Sequence, residues 1–157
     1  MKAFKKVIFV DNHGTLRAPM AEAIFSDLIA DDRIEICSRG LIVLFPEPLN
    51  QKAEAVLASN GLYLKYYLSQ KLAIEDLTED TLVIVMEREQ REKLLTMFPD
   101  TENVEVLTEL TGDELEIMNP YGAPLPSYGL CFETLSIILK KLNVLMNEGE
   151  EECQSYT

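Results

Sequence analysis

The chain has 157 residues, of which 47% are hydrophobic and 26% are charged, and its formal net charge is −13. This composition is typical of one soluble globular domain with a single core. Because nucleic acids and anionic membrane surfaces bind clustered positive charge, the negative charge argues against both as general partners. The apolar run after Lys5 and Lys6 is four residues long, which is too short for a signal peptide or a membrane span. We therefore expect a cytoplasmic protein.

The cysteines and the histidine do not form a metal-binding pattern. Cys37, Cys131 and Cys153 are odd in number, no Cys-x-x-Cys occurs, and His13 is the only histidine. This usage is typical of free thiols in a reducing compartment. We therefore predict packing roles for Cys37 and Cys131, no metal site and no cofactor.

Hydrophobic patterns predict strands that alternate with helices along the chain. Short runs of β-branched and other apolar residues predict strands at 6–10, 33–37, 81–86 and 104–107. Apolar residues at helical spacing predict helices at 19–30, 48–60, 88–98 and 132–146, with a short helical turn at 74–77. Three prolines and three glycines predict a loop at 112–130.

This alternation predicts the fold class. Strands that alternate with helices imply right-handed crossovers and a parallel sheet. We predict a three-layer α/β domain with a four-stranded parallel sheet and flavodoxin-like winding over residues 1–146, followed by a flexible acidic tail at 147–157. Ligands of such sheets bind beyond the carboxyl ends of the strands, and segment 11–17 lies there.

Segment 11–17 reads Asp-Asn-His-Gly-Thr-Leu-Arg and leads directly into the first predicted helix. A loop at a helix N-terminus directs several backbone N–H groups at one point, where they bind anions. Gly14 permits the left-handed turn that such a loop needs, and the planar guanidinium of Arg17 can hold two phosphate oxygens. The segment therefore predicts an anion cradle; the alternative is an ordinary turn with a surface arginine.

The loop and the residues after it carry a family resemblance. With Pro19-Met20-Ala21-Glu22-Ala23, the loop resembles the low-molecular-weight protein tyrosine phosphatases, in which this frame reads Cys-x5-Arg-Ser-Pro-Met-Ala-Glu and the cysteine attacks phosphorus. Further similarity lies in Ser38-Arg39-Gly40, in the strand Leu82–Met86 and in Asn119-Pro120-Tyr121-Gly122. The resemblance covers about residues 5–146.

The resemblance implies a fold, a site and a ligand class. The fold is that of the phosphotyrosine protein phosphatase I-like proteins, and the partner is a phosphorylated protein or a small phosphoester. Tyr121 would lie at the rim of the cleft. The phosphate-binding loop would consist of Asn12, His13, Gly14, Thr15, Leu16 and Arg17.

The sequence departs from the family at the positions that carry out the chemistry. Asp11 stands at the position of the cysteine nucleophile, and Asn119 stands at the position of the general acid. Ala18 replaces the hydroxyl residue that supports the nucleophile, and Leu16 replaces the second cysteine of many members. The binding arginine, Arg17, is retained. The two catalytic positions, Asp11 and Asn119, are therefore not competent for the family's mechanism.

Three functions follow as hypotheses. The first is a catalytically impaired relative that acts as a binding or regulatory module with a remnant phosphate cradle. The second is an active phosphoester hydrolase that uses Asp11, or a water held by Asp11 and His13. The third is a protein-interaction module whose loop binds no ligand.

The role of Asp11 bears on all three hypotheses. We expect its carboxylate to project toward the loop amides and Arg17 as an internal ligand, so that the native protein binds phosphate weakly or not at all.

Two other interpretations concern residues outside the loop. Tyr128 is read as an exposed loop tyrosine, and the apolar segment Leu41–Phe45 is either a buried loop or an exposed patch.

Overall fold

The structure is a computed structural model that describes residues 1–29 and 32–155, with side chains described through residue 148. Its sheet has the strand order β2-β1-β3-β4, and all three pairings are parallel. The predicted four-stranded parallel sheet is therefore confirmed. The strands are Lys6–Asp11 (β1), Glu35–Gly40 (β2), Thr81–Val85 (β3) and Val104–Val106 (β4).

Helices cover both faces of this sheet. They are Arg17–Leu28 (α1), Gln51–Ser59 (α2), Arg88–Met97 (α3), Leu107–Thr111 (α4) and Leu125–Ser155 (α5), with a short 3-10 helix at Ile74–Asp76. Phe9 and Ile84 belong to the core under α1, α2 and α5, whereas Ile8 and Val85 belong to the core under α3. The central strands β1 and β3 bury side chains on both faces, which explains their unbroken apolar sequences.

The chain between β4 and α5 differs from its prediction. Leu107 was expected to end a strand but instead begins α4, which ends at Gly112 with a left-handed φ of 80°. Helix α5 begins at Leu125, inside the segment predicted as a loop, because Pro126 is compatible with the first turn of a helix.

The C-terminal helix is longer than the periodicity indicates. Helix α5 continues past Met146 to Ser155, whereas the tail was predicted to begin at residue 147. The flexibility of residues 147–157 stays a prediction, and residues 156 and 157 lie outside the described part of the chain. None of the helices in the described residues is long and apolar enough to cross a membrane.

The strand order places the candidate site. The chain leaves β1 toward β2 on one side and returns to β3 on the other side, which opens a crevice at the carboxyl ends of β1 and β3. Segment 11–17 joins β1 to α1 at this edge, and Glu87 follows β3 at the same edge. Arg17 and Glu87, which are 70 positions apart in the chain, are thereby brought together.

Candidate functional site

The loop between β1 and α1 packs tightly against the end of β2. Gly14 has a φ of 70°, in the left-handed region. A Cβ on Gly14 would lie 3.0 Å from the backbone nitrogen of Gly40, and a Cβ on Gly40 would lie 2.6 Å from the carbonyl carbon of His13. Glycine at both positions therefore lets the two backbones approach closely, which gives Ser38-Arg39-Gly40 a structural role.

The Asp11 carboxylate lies inside this loop. Its Oδ1 accepts a hydrogen bond from the Gly14 N–H, and its Oδ2 accepts one from the Ala18 N–H at 2.9 Å. The residue is only 5% exposed. Burial raises the pKa of Asp11, and the N–H groups of Ala18 and Gly14 and the charge of Arg17 oppose that rise. The carboxylate therefore uses N–H donors that the start of α1 offers to an anion.

The Arg17 guanidinium is also held by the protein itself. Its side chain is 2% exposed; Nη1 donates to the Ile117 carbonyl at 2.7 Å, and Nη2 donates to Glu87 Oε2 in a salt bridge. Gln90 Nε2 donates to the same Glu87 oxygen at 3.2 Å and thereby fixes it. Two of the five guanidinium donors are thus engaged within the chain.

Glu87 was not among the residues predicted for the site. The available signal was its place two residues after the end of β3, since an acidic residue at the carboxyl end of a strand next to β1 can reach the loop after β1.

The remaining loop residues have different surroundings. His13 is exposed, and its Nδ1 lies 3.1 Å from the Ile42 carbonyl, as expected of a hydrogen-bonded loop histidine. The Thr15 carbonyl accepts from the Asn50 N–H at 2.9 Å. Leu16 is buried. Asn12 Oδ1 is a buried oxygen for which the described part of the structure offers no hydrogen-bond partner.

A polar cluster behind the loop fixes its position. The Tyr67 hydroxyl donates to the Gly14 carbonyl, and Ser38 Oγ lies 2.9 Å from the same hydroxyl and donates to Glu22 Oε1 at 3.1 Å. Burial raises the pKa of Glu22 and of Tyr67. Tyr67 lies 53 residues from Gly14 in the chain, and no sequence pattern indicated this contact.

A cavity of about 420 Å³ opens over the loop. This volume lies within the range of small-molecule sites. Asn119 and Tyr121 line the cavity with the loop, and Asn119 Oδ1 accepts from the Tyr121 N–H at 3.1 Å. The full lining consists of Asp11, Asn12, His13, Thr15, Leu16, Arg17, Ile42, Val43, Leu44, Phe45, Glu47, Ser69, Asn119 and Tyr121.

The apolar segment after β2 forms one wall of this cavity. Leu41 is a core residue at 1% exposure, whereas Leu44 and Phe45 are 90% and 63% exposed. The segment is therefore anchored by its first residue and exposed at its tip. Tyr121, on the facing loop, is 76% exposed, so large apolar and aromatic side chains surround the mouth.

Tyr128, Cys37 and Cys131 lie outside the cavity lining. The prediction of an exposed Tyr128 is wrong: it lies on α5 at 2% exposure, with Lys52 Nζ 5.6 Å from its ring centre. Burial raises the pKa of the Cys37 thiol and of the Cys131 thiol to about 11, so both are protonated at neutral pH. Within the described residues, no three His, Cys, Asp or Glu side chains are grouped so that they could hold a metal ion.

A sequence profile of the low molecular weight phosphotyrosine protein phosphatases matches residues 6–154. This chain belongs to that family. It is 26% identical over 137 residues to the low molecular weight protein-tyrosine-phosphatase PtpB of Staphylococcus haemolyticus, a match that covers 87% of this chain and 96% of the relative. It is 29% identical over 142 residues to PtpB of Staphylococcus epidermidis, with the same coverage.

Solved structures of the family have the same fold. The YwlE arginine phosphatase from Geobacillus stearothermophilus superposes with a TM-score of 0.87 at 22% identity, over 94% of this chain and 96% of its own. The low molecular weight protein tyrosine phosphatase from T. tengcongensis gives a TM-score of 0.80 at 31% identity, over 87% and 96%. These similarities cover the entire framework around the loop.

Proposed function

We propose that this family member has lost phosphatase turnover and acts as a binding or regulatory module, with the Asp11 carboxylate as an internal ligand of the remnant phosphate cradle. One observation carries the proposal. Asp11 accepts hydrogen bonds from the N–H groups of Gly14 and Ala18, at the position where the family places a nucleophilic thiolate. We expect this module to work in the cytoplasm.

The surroundings of Asp11 disfavour it as a nucleophile. A carboxylate can form an acyl phosphate in other proteins, but hydrogen bonds to its oxygens lower its nucleophilicity. Here both oxygens accept backbone N–H groups, and the nearby Arg17 guanidinium is paired with Glu87. Asp11 would therefore be a weakened nucleophile, without a free cation to balance the charge of the incoming phosphoryl group.

The leaving group would also lack an acid. The Asn119 amide cannot transfer a proton to a leaving oxygen, and its Oδ1 is engaged by the Tyr121 N–H. General acid catalysis contributes about 10²–10⁴-fold to such reactions. Loss of the acid alone would leave a slow enzyme, and loss of the thiolate as well removes the covalent route.

Phosphate binding should be weakened by the same carboxylate. A unit charge pair 4 Å apart repels by about 4 kcal/mol at an effective dielectric constant of 20. Two of the N–H groups that could offset this repulsion, those of Gly14 and Ala18, already bind Asp11. We therefore expect weak phosphate binding or none.

The named activities of the relatives guide the choice of ligand to test. The Staphylococcus relatives carry the name protein-tyrosine-phosphatase, and one structural neighbour is an arginine phosphatase. A phosphorylated protein or a small phosphoester is therefore the first ligand class to examine. Dependence of its binding on Arg17 would separate a cradle that still binds from a protein-interaction module whose loop binds nothing.

Hydrolysis of an aryl phosphate, with and without magnesium, tests the proposal. The native protein should show no turnover above that of the Arg17→Ala variant. The matched positive control is the triple variant Asp11→Cys, Ala18→Ser, Asn119→Asp, which restores the family's residues and should gain turnover if the framework is intact. Native turnover that disappears in both Arg17→Ala and Asp11→Ala would establish an active hydrolase instead.

A further inference from the structure

Segment 11–18 forms the floor of the cavity, and some of its hydrogen-bond donors are used within the protein. The N–H groups of Gly14 and Ala18 donate to Asp11, and Arg17 donates to Glu87 and to the Ile117 carbonyl. An anionic ligand needs these donors, because carboxylates and phosphates only accept hydrogen bonds when ionised. An anion would therefore compete with Asp11 for the N–H groups of Gly14 and Ala18, and with Glu87 for Arg17.

Acceptors, in contrast, are available in the same cavity wall. The two Asp11 oxygens together have about four acceptor sites, of which the N–H groups of Gly14, Ala18 and Leu16 use three. Asn12, next to it in the wall, carries the buried Oδ1 for which the described residues provide no donor. Glu47 adds an exposed carboxylate to the cavity lining. A ligand that supplies N–H groups would complement this wall.

The charge of the cavity lining also favours a cation over an anion. Asp11 and Glu47 are acidic, and the positive charge of Arg17 is balanced by its salt bridge to Glu87. The chain as a whole carries a formal net charge of −13, which attracts cations and repels anions over long range. A cation is therefore attracted electrostatically both within the cavity and during its approach to it.

The mouth of the cavity suits a ligand with an apolar stem. Leu44, Phe45 and Tyr121 line the cavity and are largely exposed. Aliphatic stems pack on such side chains, and guanidinium or ammonium groups interact favourably with aromatic faces. The arrangement thus combines an apolar entrance with an acceptor-rich interior.

We propose that this cavity binds an organic cation, a guanidinium or primary ammonium group on an apolar stem, with its N–H groups directed to the acceptors of Asp11, Asn12 and Glu47. The inference rests on the proposed function, since an active phosphatase would need the site for a phosphoester. The cation is either a free small molecule or an arginine or lysine side chain of a partner protein.

The test titrates the full-length protein with n-propylguanidinium and follows the backbone amide NMR signals of residues 11–18. The matched probes are n-propylurea, which has a similar shape but no charge, and phenylphosphonate, which is an anion. Saturable shifts are expected with the guanidinium, at least tenfold weaker binding with the urea, and no saturable shifts with the phosphonate. Equal binding of guanidinium and urea, or tighter binding of phosphonate, would overturn the proposal.

Charge variants separate the local site from the overall field. Glu47→Gln should weaken guanidinium binding several-fold, and Asp11→Ala should weaken it at least tenfold. The control is Glu102→Gln, which removes the same charge from an exposed residue just before β4. Glu102 lies at the amino ends of the strands, whereas the cavity lies at their carboxyl ends. If Glu102→Gln weakened binding as much as Glu47→Gln, the cation would be responding to net charge alone, and the site would be refuted.

Two further comparisons complete the test. A short peptide with one arginine that binds tenfold tighter than n-propylguanidinium would identify a protein side chain as the ligand, and equal affinities would identify a free cation. Aryl phosphate turnover is measured on the same sample. Absence of both turnover and cation binding would refute only the ligand class, whereas turnover would refute the proposed function.

Discussion

The floor and the mouth of the cavity differ in how far their groups are satisfied within the chain. At the floor, Asp11 and Arg17 are almost fully buried, and each has protein partners. At the mouth, Leu44, Phe45 and Tyr121 are mostly exposed. The floor has the character of a stabilised structural element, whereas the mouth retains the unsatisfied surface that is typical of a binding site.

The largest expected effect concerns the salt bridge of the floor. Glu87→Gln removes the charge that pairs with the 2% exposed Arg17 side chain. Because the Glu87 side chain is 27% exposed, we expect the lower end of the cost of breaking a buried pair from one side, about 3 kcal/mol. Urea denaturation should show this loss in the free energy of unfolding. The matched control, Glu89→Gln, removes an exposed charge paired with Lys93 and should change stability by about 0.5 kcal/mol or less.

A double-mutant cycle sharpens this prediction. If the pair is the cause, Arg17→Met and Glu87→Gln should be strongly non-additive, because the second substitution has no charge left to isolate. Additive losses would show that Arg17 and Glu87 contribute independently, and the floor would then not be a coupled structural element.

The next largest effect concerns the contact between the loop and β2. Gly40→Ala places a Cβ 2.6 Å from the His13 carbonyl carbon and 2.8 Å from the Gly14 nitrogen, and such overpacking costs about 2 kcal/mol. Thermal or urea unfolding measures the loss. Gly129→Ala is the control, since nothing lies within 4 Å of its Cβ on helix α5, and it should gain about 0.5–1 kcal/mol. A neutral Gly40→Ala would show that the loop has room to move.

A smaller effect is expected from the hydroxyl that holds the loop. Tyr67→Phe removes the hydrogen bonds to the Gly14 carbonyl and to Ser38, and the net loss should be about 1 kcal/mol. Amide hydrogen exchange of residues 12–16 should also become faster. Tyr63→Phe, at a 70% exposed position, should change neither quantity. Equal effects of the two variants would show that the Tyr67 hydroxyl does not hold the loop in place.

The pH dependence tests the state of Asp11. Burial raises the folded-state pKa of Asp11 above its ordinary value of 3.8, so the native state binds this proton more tightly than the unfolded state. The contribution of Asp11 to stability should therefore be largest below pH 3.8 and should fall as the pH rises through its folded pKa. The measurement is the difference in unfolding free energy between the native protein and Asp11→Ala from pH 3 to 8. A difference that grows with pH would contradict the raised pKa.

The sequence predicted the framework better than the contacts within the site. The strands β1 and β3 were recognisable because both of their faces are buried. Tyr128 was misplaced because prolines and glycines around it are typical of loops, although Pro126 lies in the first turn of α5. The salt bridge between Arg17 and Glu87 joins residues 70 positions apart, and neither periodicity nor composition encodes which charges meet across a sheet edge.

Binding of inorganic phosphate to the native protein and to Asp11→Ala tests the central claim most directly. If the Asp11 carboxylate occupies the cradle, calorimetry should detect little or no binding to the native protein and at least tenfold tighter binding to the variant, whose loop amides are released. Equal affinities, or tight binding by the native protein, would contradict this claim and show that the phosphate site functions without interference from Asp11.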